Sequence, residues 1–276
     1  MIRLLVDSAS DLSAEEGILV VPLQVEFDGK LYKDGVDIDR DTFYEMLIAS
    51  SHFPKTSQPS PQDFINYFKE AKEQGDSLLC ILLSSGLSGT YQSALLAKNI
   101  IDYPNIYLVD SLSASYGIKI LVDAARQGIA AGKTIEEIVA QLEELKMRIK
   151  IFASVENLNY LCKGGRLSAT EAAIGNVAKL KPVITVNQEG KVEVAAKKLG
   201  LIKTIAYFEM MLKNNAIDTD HACYLLYSYG QNNMLRLKEK LELLELKVDA
   251  IKQIGSTIGS HVGPEAFGII YVVRQA

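Results

Sequence analysis

The sequence predicts an α/β protein of two closely packed domains. Residues 1–150 form an N-terminal three-layer α/β/α domain with a mostly parallel sheet, and residues 151–276 a C-terminal α+β domain with a mixed sheet. Three observations carry this. Short apolar runs alternate with helical patterns through the first half, as in parallel sheets covered by helices on both faces. After about Lys150 the pattern turns to hairpin-like alternation mixed with helices. At 48% hydrophobic and 23% charged, a chain of 276 residues can fill cores of this size.

Each element has a local reason. IRLLV (2–6) is a strand, and Ser13 with Glu16 makes an S-x-x-E capping box after it. LVVPLQVEF (19–27) reads as one extended segment and Thr42 to Ser50 as a helix. Ser60-Pro61 opens the next helix, with Ser as N-cap and Pro in the first turn, and Gly75 stops it. LLCILL (78–83) is a buried strand, Tyr91 to Ile101 a helix and NIYLV (105–109) a strand. A long helical stretch from Gly117 to about Arg148 breaks at Gly132 and restarts at Thr134-x-x-Glu137. The AAGKT there is a helix break rather than a Walker A loop, because Gln127 stands where the first glycine is required. IKIFASV is the next strand, and residues 181–196 form a hairpin around Asn187-Gln188-Glu189-Gly190. A helix near 201–214, the strand ACYLLYS, an amphipathic helix near 230–246 and a closing strand at 267–273 complete the chain. No flexible linker separates the two halves.

Composition narrows the function. Net charge is −5, from 29 basic and 34 acidic side chains, which argues against a general nucleic-acid binder. No apolar stretch approaches the roughly 20 residues that span a bilayer, and the start MIRLLVDSAS reads as a strand rather than a signal peptide. Cys80, Cys162 and Cys223 stand far apart without a CxxC, so reduced thiols and a cytoplasmic location are expected. The three histidines show no metal spacing, and no metal or cofactor is expected.

Polarity collects at strand ends. LLVDSAS (4–10), LSSGLSGTYQSA (83–94) and YLVDSLSAS (107–115) all finish in hydroxyls. Ligands of open parallel sheets sit outside such ends, so the three are expected to converge; the alternative is that each caps the following helix. Three chemistries fit. Gly and Ser before a helix make an anion cradle, but no P-loop or GxGxxG is present and no Lys or Arg lies in the loop. Ser88, His261 and either Asp7 or Asp110 can be drawn as a hydrolytic triad, although Gly86-Leu87-Ser88-Gly89 sets its second glycine one place too early for a nucleophile elbow. The third chemistry is a carboxylate held by neutral donors: Thr56 of FPKTSQPSP (53–61), Ser88, and His261 of the glycine-rich loop IGSTIGSHVGPEAFG (254–268).

These stretches resemble the DegV family, bacterial fatty-acid-binding subunits that work with a fatty acid kinase. The resemblance covers the full length and rests on VDSASDLS, KTSQPSP, LSSGLSGTYQSA, VDS with further serines at 109–115, YLCKGGRLS at 160–168 and IGSHVGPEAFG. It implies that Thr56, Ser88 and His261 hold the carboxyl group, with the adjacent Ser57 and Gly89 completing the set. It implies a long-chain fatty acid in an apolar tunnel between or beside the domains, and no catalysis by this chain. An ATP-dependent kinase partner would make the acyl phosphate for phospholipid synthesis, with transient contact at a membrane surface. Ser260 and Glu265 depart from the family, where Thr and Gly are more common. The physical chemistry agrees: at about 0.8 kcal/mol per buried CH₂, a sixteen-carbon chain gains about 12 kcal/mol before ordering costs, so the head group needs only to be satisfied. In Cys162-Lys-Gly-Gly-Arg166, two glycines suggest a tight turn exposing a cation, and the resemblance makes Arg166 the contact to the kinase. The competing expectation is a serine hydrolase or acyl-transfer enzyme using Ser88 and His261.

Overall fold

The computed structural model describes residues 1–14, 17–170 and 180–275. β1 (Ile2–Asp7) runs into a 3-10 turn over Ser8–Ser10, where the Asp7 carboxylate accepts from the Ala9 N–H. Glu16, half of the expected capping box, lies outside the described residues. β2 (Ile18–Val21) is followed by a hairpin of β3 (Gln24–Phe27) and β4 (Lys30–Lys33). The Asp28-Gly29 turn of that hairpin has positive φ at both residues, as a two-residue connection requires. Residues 19–27, expected as one extended segment, thus divide near Pro22, and the halves join different sheets. α1 (Arg40–Ala49) is capped by Asp39, and the short β5 (Lys55–Ser57) pairs back onto β3. α2 (Pro61–Gln74) opens with the Asp63 carboxylate accepting from the Ser60 N–H at 2.8 Å, and ends at Gly75, φ 68°.

β6 (Ser77–Leu82), α3 (Thr90–Ile101) and β7 (Ile106–Asp110) follow. α4 (Tyr116–Ala130) and α5 (Ile135–Lys146) are separated at Gly132, φ 72°, and α5 restarts on the Thr134–Glu137 capping box. Next come β8 (Ile149–Ser154), the short α6 (Asn159–Lys163), the hairpin of β9 (Leu180–Val186) and β10 (Val192–Leu199), and α7 (Gly200–Asn214). The last elements are β11 (Tyr224–Tyr227), α8 (Asn232–Glu242), β12 (Ala250–Gln253), α9 (Ser256–Val262) and β13 (Phe267–Val272). The stretch around His261, expected as a glycine-rich loop, therefore contains a helix.

The strands make a parallel sheet in the order β2-β1-β6-β7 and a mixed sheet in the order β10-β9-β8-β13-β11-β12. In the mixed sheet β11 and β12 run parallel and the other pairs antiparallel. A third small sheet, β4-β3-β5, packs under α1 through Phe27, Phe43 and Tyr44. β6 shows why its sequence is apolar throughout. Leu78, Cys80 and Leu82 pack with Phe64 and Phe68 of α2 on one face, while Leu79 and Ile81 pack with the α4 and α5 core on the other. Successive side chains point to opposite faces, so a strand covered on both sides cannot alternate with polar residues. The mixed sheet buries Phe152, Leu225 and Ile269 under α7 and α8. Its other face, with Ile184 and Ile270, joins the core that contains Leu121 of α4.

Candidate functional site

That inner face of the mixed sheet is not fully filled. Between it and the ends of the parallel strands lies a cleft with about 930 Å³ of space outside atoms, its mouth included. The cleft is narrow: the centre of a water-sized sphere ranges over only about 100 Å³ within it. Ile151, Ile184 and Ile270 come from the mixed sheet, and Leu83, Leu87 and Ala114 from the opposite side. The walls are mostly aliphatic, as expected for a ligand pocket.

Three polar side chains from separate elements line the wall. Thr56 comes from β5, Ser88 from the loop before α3, and His261 from the last turn of α9. Thr56 Oγ1 and His261 Nε2 lie 2.7 Å apart across 205 residues of sequence. Ser88 Oγ lies 2.8 Å from Thr90 Oγ1 and accepts from the Thr90 N–H. Burial, and next the nearby Arg166 guanidinium, push the His261 imidazole down to about 4. The ring is thus neutral at pH 7, carrying one proton that can be donated from either nitrogen. Its Nδ1 is buried without a hydrogen-bond partner. These side chains offer neutral donors in a mostly aliphatic wall, which suits one oxygen-bearing end of a long apolar ligand.

Not every expected residue is there. Ser57 is exposed on β5, and Gly89 is the N-cap of α3; neither lines the cleft. Gly89 has a packing reason instead, since a Cβ there would fall 2.0 Å from Gln58 Oε1. Arg166, expected as an exposed cation, is half-buried in the cleft wall. Its Nε donates to Leu87 O at 2.9 Å and its Nη1 to Gly164 O at 2.5 Å, which ties the GGR turn to the Ser88 loop. Desolvation lowers its pKa. Three lining polar residues were missed, Gln58, Ser115 and Thr257. All sit inside motifs that drew attention for other residues, and sequence spacing does not say which neighbour reaches the cleft.

The strand-end aspartates do not face the cleft. Asp7 accepts from the N–H groups of Ala9 and Leu83, and Asp110 from those of Ser85 and Leu112. A Ser-His-Asp triad needs the serine bonded to the imidazole and an acid on its far nitrogen. Here Ser88 bonds to Thr90, His261 bonds to Thr56 through Nε2, and Nδ1 has no acid. Among the described residues no cluster of His, Cys, Asp and Glu is placed to hold a metal, and no helix is long and apolar enough to cross a membrane.

Comparison with known proteins gives the family and the fold. The description "Uncharacterised protein, DegV family COG1307" matches residues 1–274. The chain belongs to the DegV family. Within DegV proteins it is 36% identical over 276 residues to the DegV domain-containing protein TTE1491 of Caldanaerobacter subterraneus subsp. tengcongensis, with 98% of each chain covered. Its fold superposes with a TM-score of 0.88 on a DegV family protein from Thermus thermophilus described for fatty acid binding, at 32% identity and 99% coverage of both chains. The Streptococcus pneumoniae Fatty Acid Kinase (Fak) B3 protein loaded with linoleic acid has the same DegV fold, with a TM-score of 0.86 and 99% of each chain covered. At 22% identity that likeness is one of fold alone.

Proposed function

We propose that this protein binds a long-chain fatty acid in the aliphatic cleft, with the carboxylate held by Thr56, Ser88 and His261, and presents it to a fatty acid kinase. The observation that carries the reading is the Thr56–His261 contact at the polar part of an otherwise aliphatic cleft. Neutral hydrogen bonds of about 1 kcal/mol each satisfy a head group whose affinity comes from its chain. Ser57 and Gly89 act through backbone placement of Thr56 and Ser88 rather than as ligands.

On this reading the chain is a carrier without catalysis of its own, acting on the cytoplasmic side. Phosphorylation of the carboxylate needs ATP, and because the sequence holds no P-loop the ATP and its metal belong to the partner. Arg166 takes part in that partner contact from the rim of the cleft. Residues 1–150 and 151–276 act as two units with the ligand between them; the cleft draws Leu83 and Leu87 from one and Ile151, Ile184 and Ile270 from the other.

The test is native mass spectrometry of the purified protein, followed by solvent extraction. A stoichiometric fatty acid mass that is lost on extraction is the expected result. An unliganded mass with no uptake of added fatty acids would overturn the reading.

A further inference from the structure

The motif VDSASDLS carries two aspartates that the proposed head-group grip does not use. Both are buried: Asp7 is 0% and Asp11 4% exposed, and Asp34 joins them at 6%. Asp7 ends β1, and its Oδ2 accepts from the Leu83 N–H at 2.6 Å, where β6 gives way to the Ser88 loop. Asp11 Oδ1 accepts from the Gly255 N–H at 2.8 Å, and its Oδ2 from Ser115 Oγ. Asp34 accepts from Ser256 Oγ at 2.5 Å and from Thr257 Oγ1 at 2.6 Å. Gly255 is the N-cap of α9, and Ser256 and Thr257 are its first residues. A Cβ on Gly255 would fall 2.6 Å from Asp11 Oδ1 and 3.8 Å from Asp34 Oδ1, so both carboxylates face one backbone point.

A helix as short as Ser256–Val262 is not stable by itself in water, where about 12–15 residues are needed for marginal helicity. Its position is set by what holds its start. Arg40 donates to Asp11 O at 2.7 Å and Tyr44 OH to Ile254 O at 3.0 Å, so the same anchor extends into α1. Burying carboxylates is unfavourable unless their hydrogen bonds are made, and well-packed apolar residues in place of buried charges are often neutral or stabilising. The arrangement makes sense where position matters more than stability.

We infer that Asp11 and Asp34 are positioning residues for the head-group grip: they fix the first turn of α9 and so the place of His261, while Asp7 fixes the root of the Ser88 loop. The inference rests on the carboxylate-binding reading and deepens it. The polar strand ends of β1 and β7 then meet around buried carboxylates, one layer behind the cleft, with Ser115 and Thr257 touching both.

The experiment uses the full chain and two ligands, hexadecanoic acid and hexadecan-1-ol, with amide hydrogen exchange of residues 255–262 in the ligand-free protein. Asp34→Ala is expected to weaken the acid about tenfold, the size of one hydrogen bond lost at a displaced His261, to weaken the alcohol, which has one oxygen for the grip instead of two, clearly less, and to speed exchange across α9. Asp34→Asn keeps an acceptor and is expected to retain most of the affinity. Equal weakening of acid and alcohol, or unchanged exchange in α9, would overturn the inference. If Asp34→Ala does not fold, Ser256→Ala removes a donor to Asp34 from outside the cleft lining instead and is read by the same criteria. Failure of the unsubstituted protein to bind either ligand would refute the carrier reading, while the exchange measurement would still decide whether Asp34 holds α9.

Discussion

The imidazole of His261 is seated on the α-carbon of Gly164: a Cβ there would fall 2.2 Å from Nδ1 and 2.7 Å from Cε1. This explains the first glycine of the CKGGRLS turn. It also explains why Nδ1 is buried without a partner, since a backbone carbon fills the place an acid would take in a triad. The second glycine, Gly165, has φ 71°, which a residue with a Cβ adopts at a cost.

Gly164→Ala is therefore expected to displace the His261 ring and break its contact to Thr56. Overpacking of this kind costs about 1–3 kcal/mol. Urea denaturation with fatty acid titration checks it: stability and carboxylate affinity fall together, whereas Gly165→Ala lowers stability with a smaller effect on affinity.

Protonation gives opposite slopes to stability. His261 is pushed down to about 4, chiefly by burial, so an unfolded chain takes up its proton first as pH falls. Its contribution is present above the usual histidine value of about 6.5 and is lost between there and about 4. Asp7 and Asp11 are both raised to about 7, again chiefly by burial, so the folded state holds protons that the unfolded state releases. Their contribution is present below about 4 and is lost as pH rises to about 7. The groups acting on Asp11 are Arg40, Ser115, Asp34 and Gly255. Urea denaturation of Asp11→Asn against the parent chain from pH 4 to 8 is expected to show the variant gaining relative stability as pH rises. A pH-independent difference would contradict this.

Arg166 is the second cause of the lowered His261 pKa, after burial. Arg166→Ala should raise the imidazole titration midpoint, read by NMR, while leaving it below the ordinary value because burial remains. The same substitution is expected to reduce kinase-dependent acyl phosphate formation more than fatty acid affinity. Arg166→Lys should not restore coupling, because an ammonium lacks the fork that reaches both Leu87 O and Gly164 O. Equal losses in binding and coupling would place Arg166 with the ligand alone.

The Ser88 loop is also held from the hairpin of the mixed sheet. Ser84 Oγ donates to Gly190 O at 2.7 Å, and a Cβ on Gly86 would fall 2.8 Å from both Glu189 O and Gly190 O. Backbone cannot yield as a side chain does. Gly86→Ala is expected to cost about 1–3 kcal/mol, measurable by denaturation. A neutral result would show that the hairpin tip moves freely over the loop.

Elements with local causes are legible along the chain. Ser60-Pro61, Gly75, Gly132 and the Thr134–Glu137 box set helix ends through atoms within four residues, and the apolar run of β6 required burial on both faces. Family motifs also singled out Thr56, Ser88 and His261, which do meet in one cleft. The remaining features depend on contacts across the chain. The helix around His261 exists because Asp11 and Asp34, more than 200 residues earlier, accept from its first turn, and no local pattern encodes that. The same distance hid the half-burial of Arg166, the place of Gln58, Ser115 and Thr257 in the cleft lining, and the backbone N–H groups that Asp7 and Asp110 accept from. Local hydrogen bonding and hydrophobic period fix which segments fold into elements. Which side chain reaches a shared cavity is settled only when distant backbones pack, because a rotation of one residue turns a neighbour inward in its place.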